Sequence, residues 1–207
     1  LSLVPFVLEG LMTTLDANGI LNVAPMGLIP DDCSGKPIQQ FLLRPFPHST
    51  TCNNLLESRE AVFHLNDQVE LYARAVTHQL DLQEIATFPA QDIQGRVLSA
   101  SCTAYELRVT EVDASEQRIA MQAEVVRTHR LRDFLGFNRA RHAVIEAAIL
   151  ASRVHLLPAD QIQRELSTFQ TLIEKTADPA TAAAMQLIVD WIGKASKSRQ
   201  AVEECAP

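Results

Sequence analysis

Aromatic side chains are scarce in this 207-residue chain, at 5%, with one tryptophan and two tyrosines. Single-stranded nucleic acid is gripped largely by stacking bases on aromatic rings, so that platform is disfavoured. Basic residues are also in deficit: 18 Lys and Arg against 25 Asp and Glu leave a net charge of −7. Proteins that wrap a phosphate backbone carry the opposite balance, and no nucleic-acid partner is expected. Cysteine is limited to Cys33, Cys52, Cys102 and Cys205, far apart and without C-x-x-C spacing. That argues against a zinc knuckle or a disulfide frame and suits free thiols in a reducing cytoplasm. No apolar run reaches the length of a bilayer span, so no membrane partner is expected either. Leu1–Gly10 is apolar but lacks a basic lead and carries Pro5 and Glu9. It reads as the approach to a strand, not a signal peptide, and a start at Leu instead of Met suggests a trimmed chain. Also missing are G-x-G-x-x-G, a P-loop, H-E-x-x-H and a nucleophile elbow.

What is present is an ordinary globular composition, 47% hydrophobic and 21% charged, in a chain long enough to bury a core unaided. The first two-thirds read as strands. Phe6–Leu15 and Ile20–Ile29 flank the turn Asp16-Ala17-Asn18-Gly19, a β-hairpin pattern. Pro25 within the second run predicts an edge, a bulge or a strand end near Met26-Gly27. Strands are further predicted over Ile38–Arg44, Glu60–Asn66, Ala104–Val112 and Arg118–Arg127, with a short helix from Ser49 to Ser58; Val69–Thr77 reads as helix or strand, with a short helix favoured. From Gly136 the character changes. Asn138–Leu157, Asp160–Thr176 and Pro179–Lys197 read as helices, with Asp178 capping Pro179 at the first helical position. Strands followed by helices give an α+β protein, divided into a strand-rich domain over 1–135 and a helical domain over 136–207.

Arg44 is the most informative single residue. Lys36 is the only other Lys or Arg before residue 59, and Arg44 closes an apolar strand just ahead of Ser49, Thr50 and Thr51. Arginine, hydroxyls and a helix start together can hold a phosphate monoester. Equally, Arg44 could pair with a carboxylate while Ser49 merely caps the helix. Five basic residues, Arg127, Arg130, Arg132, Arg139 and Arg141, gather in a short stretch of this acidic chain. They suit an anionic ligand such as a small-molecule substrate, an interface with an acidic surface, or a solvated loop paired with acids elsewhere. On the helix that follows, Arg139, His142, Glu146 and Arg153 share one stripe, by default the solvent face. Asn138 and Arg139, at its start, are the better candidates for ligand contact. The six histidines form no metal-binding set, and Cys52 reads as a small buried hydrophobe, not a nucleophile.

These pieces resemble the flavoprotein family known as domain of unknown function 447, or DUF447. The resemblance rests on Leu8-Glu9-Gly10, Thr13-Thr14, Asp16-Ala17-Asn18-Gly19, Asn22-Val23-Ala24-Pro25-Met26-Gly27 and Arg44-Pro45-Phe46. It continues through Thr51-Cys52-Asn53-Asn54-Leu55, Gly136-Phe137-Asn138-Arg139-Ala140, Val144–Ile149 and Glu174-Lys175-Thr176. It implies an FMN-binding split β-barrel, a small C-terminal helical domain and a homodimer. The cofactor implied is FMN, its phosphate held by Arg44, Ser49, Thr50, Thr51 and Asn54. Asn22, Ala24, Pro25 and Met26 would approach the ring system, and Asn138, Arg139 and Lys175 would add cofactor contacts. One departure stands out, since the family pattern has Asn where this chain has His64. The implied function is a flavin-dependent oxidoreductase of unknown substrate, with a non-catalytic flavin binder or a dimeric scaffold as the alternative.

Overall fold

A computed structural model describes residues 6–115 and 119–204, with side chains through residue 197. Cys205 and the Glu116–Arg118 part of the last predicted hairpin lie outside the described residues. The chain forms two compact units. One takes the chain through Asp67 and again from Asp81 to Phe134; the other takes Gln68–Leu80 and everything from Leu135 on.

The first unit is built on a hairpin. Strand β1 (Leu8–Leu15) pairs with β2 (Leu21–Pro30) around a turn where Asp16 Oδ1 accepts the amides of Asn18 and Ile20 at 2.9 and 2.7 Å. Gly19 takes the left-handed conformation the turn requires, at φ 77°. Strand β3 (Gln40–Leu43), helix α1 (Thr50–Ser58), strand β4 (Glu60–Leu65), strand β7 (Thr103–Asp113) and strand β8 (Ala120–Arg130) complete a closed barrel in the order β1-β2-β3-β8-β7-β4. Met12, Leu28, Phe41, Leu43, Phe63, Leu107 and Met121 form its core, together with Cys52 and Leu55 of α1. Each such fully buried side chain contributes about 1.5–3 kcal/mol. Phe41 sits edge-on to both Phe63 and Tyr105, with centroids 5.5 and 5.3 Å apart.

The break expected at Met26-Gly27 is absent, and β2 runs on unbroken to Pro30. The other expectation, an edge, fits the register. On the side away from β1, only Ile29 and Pro30 of β2 are paired among the described residues, with Leu42 and Phe41 of β3. Pro25 therefore costs no ladder bond on that side.

Two short strands, β5 (Thr87–Pro89) and β6 (Arg96–Leu98), were not anticipated in the sequence. They form a hairpin against the outer face of β4 and β7, where Val62, Val97 and Ala104 are buried beneath Phe88, Ile93 and Leu131. Thr13 Oγ1 ties this hairpin to β1 by donating to the Arg96 carbonyl at 2.7 Å. Consequently Leu11 to Thr14 are buried on both faces of β1.

The second unit holds α2 (Val69–Val76), α3 (Arg139–Ser152), α4 (Ala159–Thr176) and α5 (Pro179–Glu204). Sequence placed α2 with the strands, because it lies between them in the chain. The structure packs it with the helices: Val69, Ala73 and Val76 share one stripe and join Ala140, Val144, Ala147, Ala184 and Ile188 in a common core. Asn138 caps α3 by accepting the Arg141 amide at 3.1 Å, and Asp178 accepts the Thr181 amide at 2.7 Å ahead of Pro179. Among the described residues, no helix is long and apolar enough to cross a membrane.

Candidate functional site

One end of the barrel collects the hydroxyl and amide groups singled out above. There β1 ends, β2 begins, β3 ends at Leu43, and α1 is laid across. Ser49 caps α1, accepting the Cys52 amide on Oγ at 3.1 Å and the Asn53 amide on its carbonyl at 3.0 Å. The amides of Thr50 and Thr51 retain no acceptor among the described residues, as the first turn of a helix dictates. Arg44 is exposed just beyond β3 and makes no hydrogen bond or ion pair among the described residues. Ser49 is a helix cap, and no carboxylate pairs with Arg44 among the described residues. A planar guanidinium, two open amides and the hydroxyls of Ser49 and Thr50 are the donor set that suits an oxyanion.

Behind this exposed rim lies a buried polar bolt. Asn22 Nδ2 donates to Thr14 Oγ1 at 3.1 Å and to Thr51 Oγ1 at 3.0 Å, and Asn54 Nδ2 donates to Thr14 Oγ1 at 3.0 Å. Thr14, Thr51 and Asn54 are all buried. Three of the expected residues are therefore brought together, but through Thr14, which sequence reasoning used only as part of a motif. Thr13 and Thr14 end an apolar strand, and consecutive strand residues face opposite sides. In the structure Thr13 serves the outer hairpin and Thr14 the barrel end.

The β2 residues split by the same alternation. Asn22, Ala24 and Met26 share a face, with Met26 against the barrel core, whereas Pro25 is exposed on the other face. Cys52 is fully buried, and burial pushes its thiol pKa up, which suits packing and not nucleophilic chemistry. His64 belongs to a different arrangement. It is fully buried, bonded to the Leu11 carbonyl and the Leu98 amide, and takes no part in the Thr14 network.

Asn138, Arg139 and Lys175 belong to the helical unit. Asn138 is already engaged, as the α3 cap and as donor to the Thr176 carbonyl at 3.1 Å. Arg139 and Lys175 are exposed, and the Arg139 stripe with His142, Glu146 and Arg153 is solvent-facing. The basic stretch also resolves into separate roles. Arg127 forms a two-pronged pair with Asp92 at 2.8 and 3.0 Å, Arg132 pairs with Asp67, and Arg141 with Asp178. Arg130 and Arg139 keep no such partner among the described residues. Among those residues, too, no His, Cys, Asp and Glu side chains cluster to hold a metal.

Two family models for the protein of unknown function DUF447 match the chain, an N-terminal domain over residues 8–132 and a C-terminal one over 138–190. The chain belongs to the DUF447 family. No curated protein matches it. An FMN-bound DUF447 protein from Methanosarcina mazei superposes with a TM-score of 0.75 at 19% identity, covering 91% of this chain and 96% of its own. The 2-nitrobenzoate 2-nitroreductase of Pseudomonas fluorescens superposes at 0.50 and 20% identity, over 62% of this chain and 66% of its own. An FMN-binding protein from Thermus thermophilus gives 0.48 and 17% identity, over 62% and 72%. The DUF447 chain thus has a split β-barrel followed by helices, and the part shared with the nitroreductase is no larger than a barrel domain.

Proposed function

We propose that this DUF447 protein binds FMN at the α1 end of its barrel and works as a flavin-dependent oxidoreductase. The carrying observation is the combination of an Arg44 with no partner among the described residues and the open N-terminus of α1, on a fold shared with an FMN-bound relative. FMN fits these residues. Its phosphate meets the Arg44 fork, the Thr50 and Thr51 amides and the Ser49 and Thr50 hydroxyls. The bolt of Asn22, Thr14, Thr51 and Asn54 fixes the first turn of α1 to the hairpin, so the amides are held in place before a ligand arrives. The Asn22–Met26 strand offers backbone and side chains to the ring system along the side of β2 that β3 leaves largely unpaired. When bound, the flavin supplies hydride chemistry, and the protein's share is position and electrostatics.

A homodimer belongs to the same reading. Ile20 and Phe46 are large, apolar and exposed near the Arg44 end, where a second copy would cover them. Light scattering on the purified protein checks the stoichiometry.

The deciding experiment is the visible spectrum of freshly purified protein, followed by titration with FMN and stopped-flow mixing with NAD(P)H. Saturable FMN binding with rapid bleaching and reoxidation supports the oxidoreductase. A bound flavin that resists every donor would leave a flavin carrier. A colourless protein that takes up no FMN overturns both.

A further inference from the structure

The barrel has a second functional-looking end, opposite the one just described. The register puts Leu15, Leu21 and Leu43 at the α1 end, and Pro30, Gln40, Leu65, Thr103 and Arg130 at the other. There the mouth opens into a cavity of about 490 Å³, lined by Gly35, Lys36, Pro37 and Ile38 from the β2–β3 loop, Tyr105 from β7, and Thr128 and Arg130 from β8. Cavities that hold small organic ligands span about 300–1,000 Å³ and favour barrel mouths.

Three observations bear on what such a cavity would take. First, its charge is all of one sign: Lys36 and Arg130 line it and no carboxylate does. Neither cation makes a hydrogen bond or ion pair from its side chain among the described residues, although Arg127 and Arg132 on the same stretch are both paired. The nearby Asp32 is turned to the loop itself, accepting the Ser34 amide and hydroxyl at 2.7 Å each. Second, part of the wall is apolar and includes an aromatic ring. Tyr105 stands edge-on to Phe41 of the core, with Ile38 and Pro37 beside it. Third, Tyr105 and Thr128 are direct cross-strand partners, so a phenol and a hydroxyl face the same space. Burial pushes the phenol pKa up, with Arg130 opposing it, so Tyr105 stays a hydrogen-bond donor at neutral pH.

We propose that this mouth is a binding site for a small organic anion, a carboxylate or phosphate monoester carried on a flat apolar body. Lys36 and Arg130 take the oxyanion, and Tyr105, Pro37 and Ile38 take the body. In a protein of net charge −7, two cations on one cavity, without a side-chain partner among the described residues, are what make it attractive to an anion. The site lies across the barrel from Arg44 and does not depend on whether FMN binds there.

The test uses the whole protein, purified with whatever flavin it carries, and three probes: benzoate, phenyl phosphate and neutral benzamide. Tyrosine ring resonances report the site, since Tyr72 and Tyr105 are the only tyrosines, and calorimetry gives the affinity. Benzoate or phenyl phosphate should saturate and shift Tyr105, and the tighter of the two names the preferred oxyanion. Lys36→Gln and Arg130→Gln should each weaken the better probe roughly tenfold, the worth of a charged hydrogen bond. Benzamide should bind weaker by a similar factor, and Arg44→Ala should leave the probe's affinity as it was. Failure of both anions to saturate, equal binding of benzamide, indifference to Lys36→Gln and Arg130→Gln, or loss of binding in Arg44→Ala overturns the assignment. Both cations are exposed, so their replacement by glutamine is compatible with folding.

Discussion

The backbone amide of Leu98 donates to Nε2 of His64 at 3.0 Å, and this bond joins β6 to the barrel wall. The other ring nitrogen donates to the Leu11 carbonyl at 3.0 Å, so one imidazole links three strands. A ring that accepts on one side and donates on the other is neutral. Burial pushes its pKa from 6.5 down to about 4, with the Leu11 carbonyl opposing and His129 adding to the fall.

The sign of the pH dependence follows. Between pH 6.5 and about 4 the unfolded chain takes up a proton that folded His64 refuses. Stability from this group is complete above pH 6.5 and is lost as pH falls through that window, by about 3 kcal/mol in all. His64→Asn, which does not titrate, should cost about 1–3 kcal/mol at pH 7 by leaving a strand bond unmade. It should also lose less stability than the parent between pH 7 and pH 5. Urea unfolding at the two pH values checks both statements.

Glu106 is the second buried group with several partners. Burial works to raise its pKa, but the amides of Gln91 and Asp92, at 2.8 and 2.7 Å, and His129 Nε2, at 2.7 Å, outweigh it and hold the carboxyl below its usual range. Its contribution is therefore present above the ordinary carboxylate pKa and fades as pH falls through the lowered folded value. Glu106→Gln should cost about 1–3 kcal/mol, the range for weakening hydrogen bonds to a buried charged acceptor. Amide exchange at Gln91 and Asp92 should quicken well beyond that of the other barrel amides.

Gly10 has no room for a side chain. A Cβ there would come within 2.3 Å of the Phe63 ring and 2.6 Å of the His64 carbonyl oxygen. Gly10→Ala should destabilise by about 1–3 kcal/mol, because both the core ring and the backbone of β4 must move. A thermal melt beside that of Gly193→Ala separates crowding from the change of residue, since nothing lies within 4 Å of a Cβ at Gly193.

Arg44→Ala and Thr14→Val test the flavin reading from different sides. Loss of the Arg44 guanidinium should weaken FMN about tenfold to a hundredfold with little change in stability, since the residue is exposed. Thr14→Val leaves the amide of Asn54 without its acceptor and that of Asn22 with one acceptor fewer. It should cost about 1–3 kcal/mol of stability as well as some flavin affinity. Fluorescence titration with FMN and chemical denaturation of both variants separate the two roles.

Local chemistry was legible in the sequence and long-range pairing was not. The Asp16–Gly19 hairpin, the Ser49 cap and the Asp178-Pro179 helix start each depend on neighbours a few positions away, and the structure has all three. The β5–β6 hairpin rests instead on Glu106, Thr13 and His64, each remote in sequence, so three-residue strands containing Pro89 gave no signal of their own. Helix α2 was open to a strand reading, with a helix favoured, and its partners Ala140 and Ile188 lie far down the chain. At the candidate site, the hydroxyls around Ser49 and Arg44 could be read from their order. Thr14 as the joint between Asn22 and Asn54 required the fold. The same holds for the barrel mouth, where Tyr105 and Thr128 meet only because β7 and β8 pair in that register.

The open side of β2 has a consequence for how copies of this chain meet. A long, mostly unpaired strand flank invites another chain to add itself, strand upon strand, towards fibrous polymer. Pro25 interrupts that template at its middle, because an incoming backbone finds no N–H there to bond. The flank can thus stay open without becoming a seed for polymerisation.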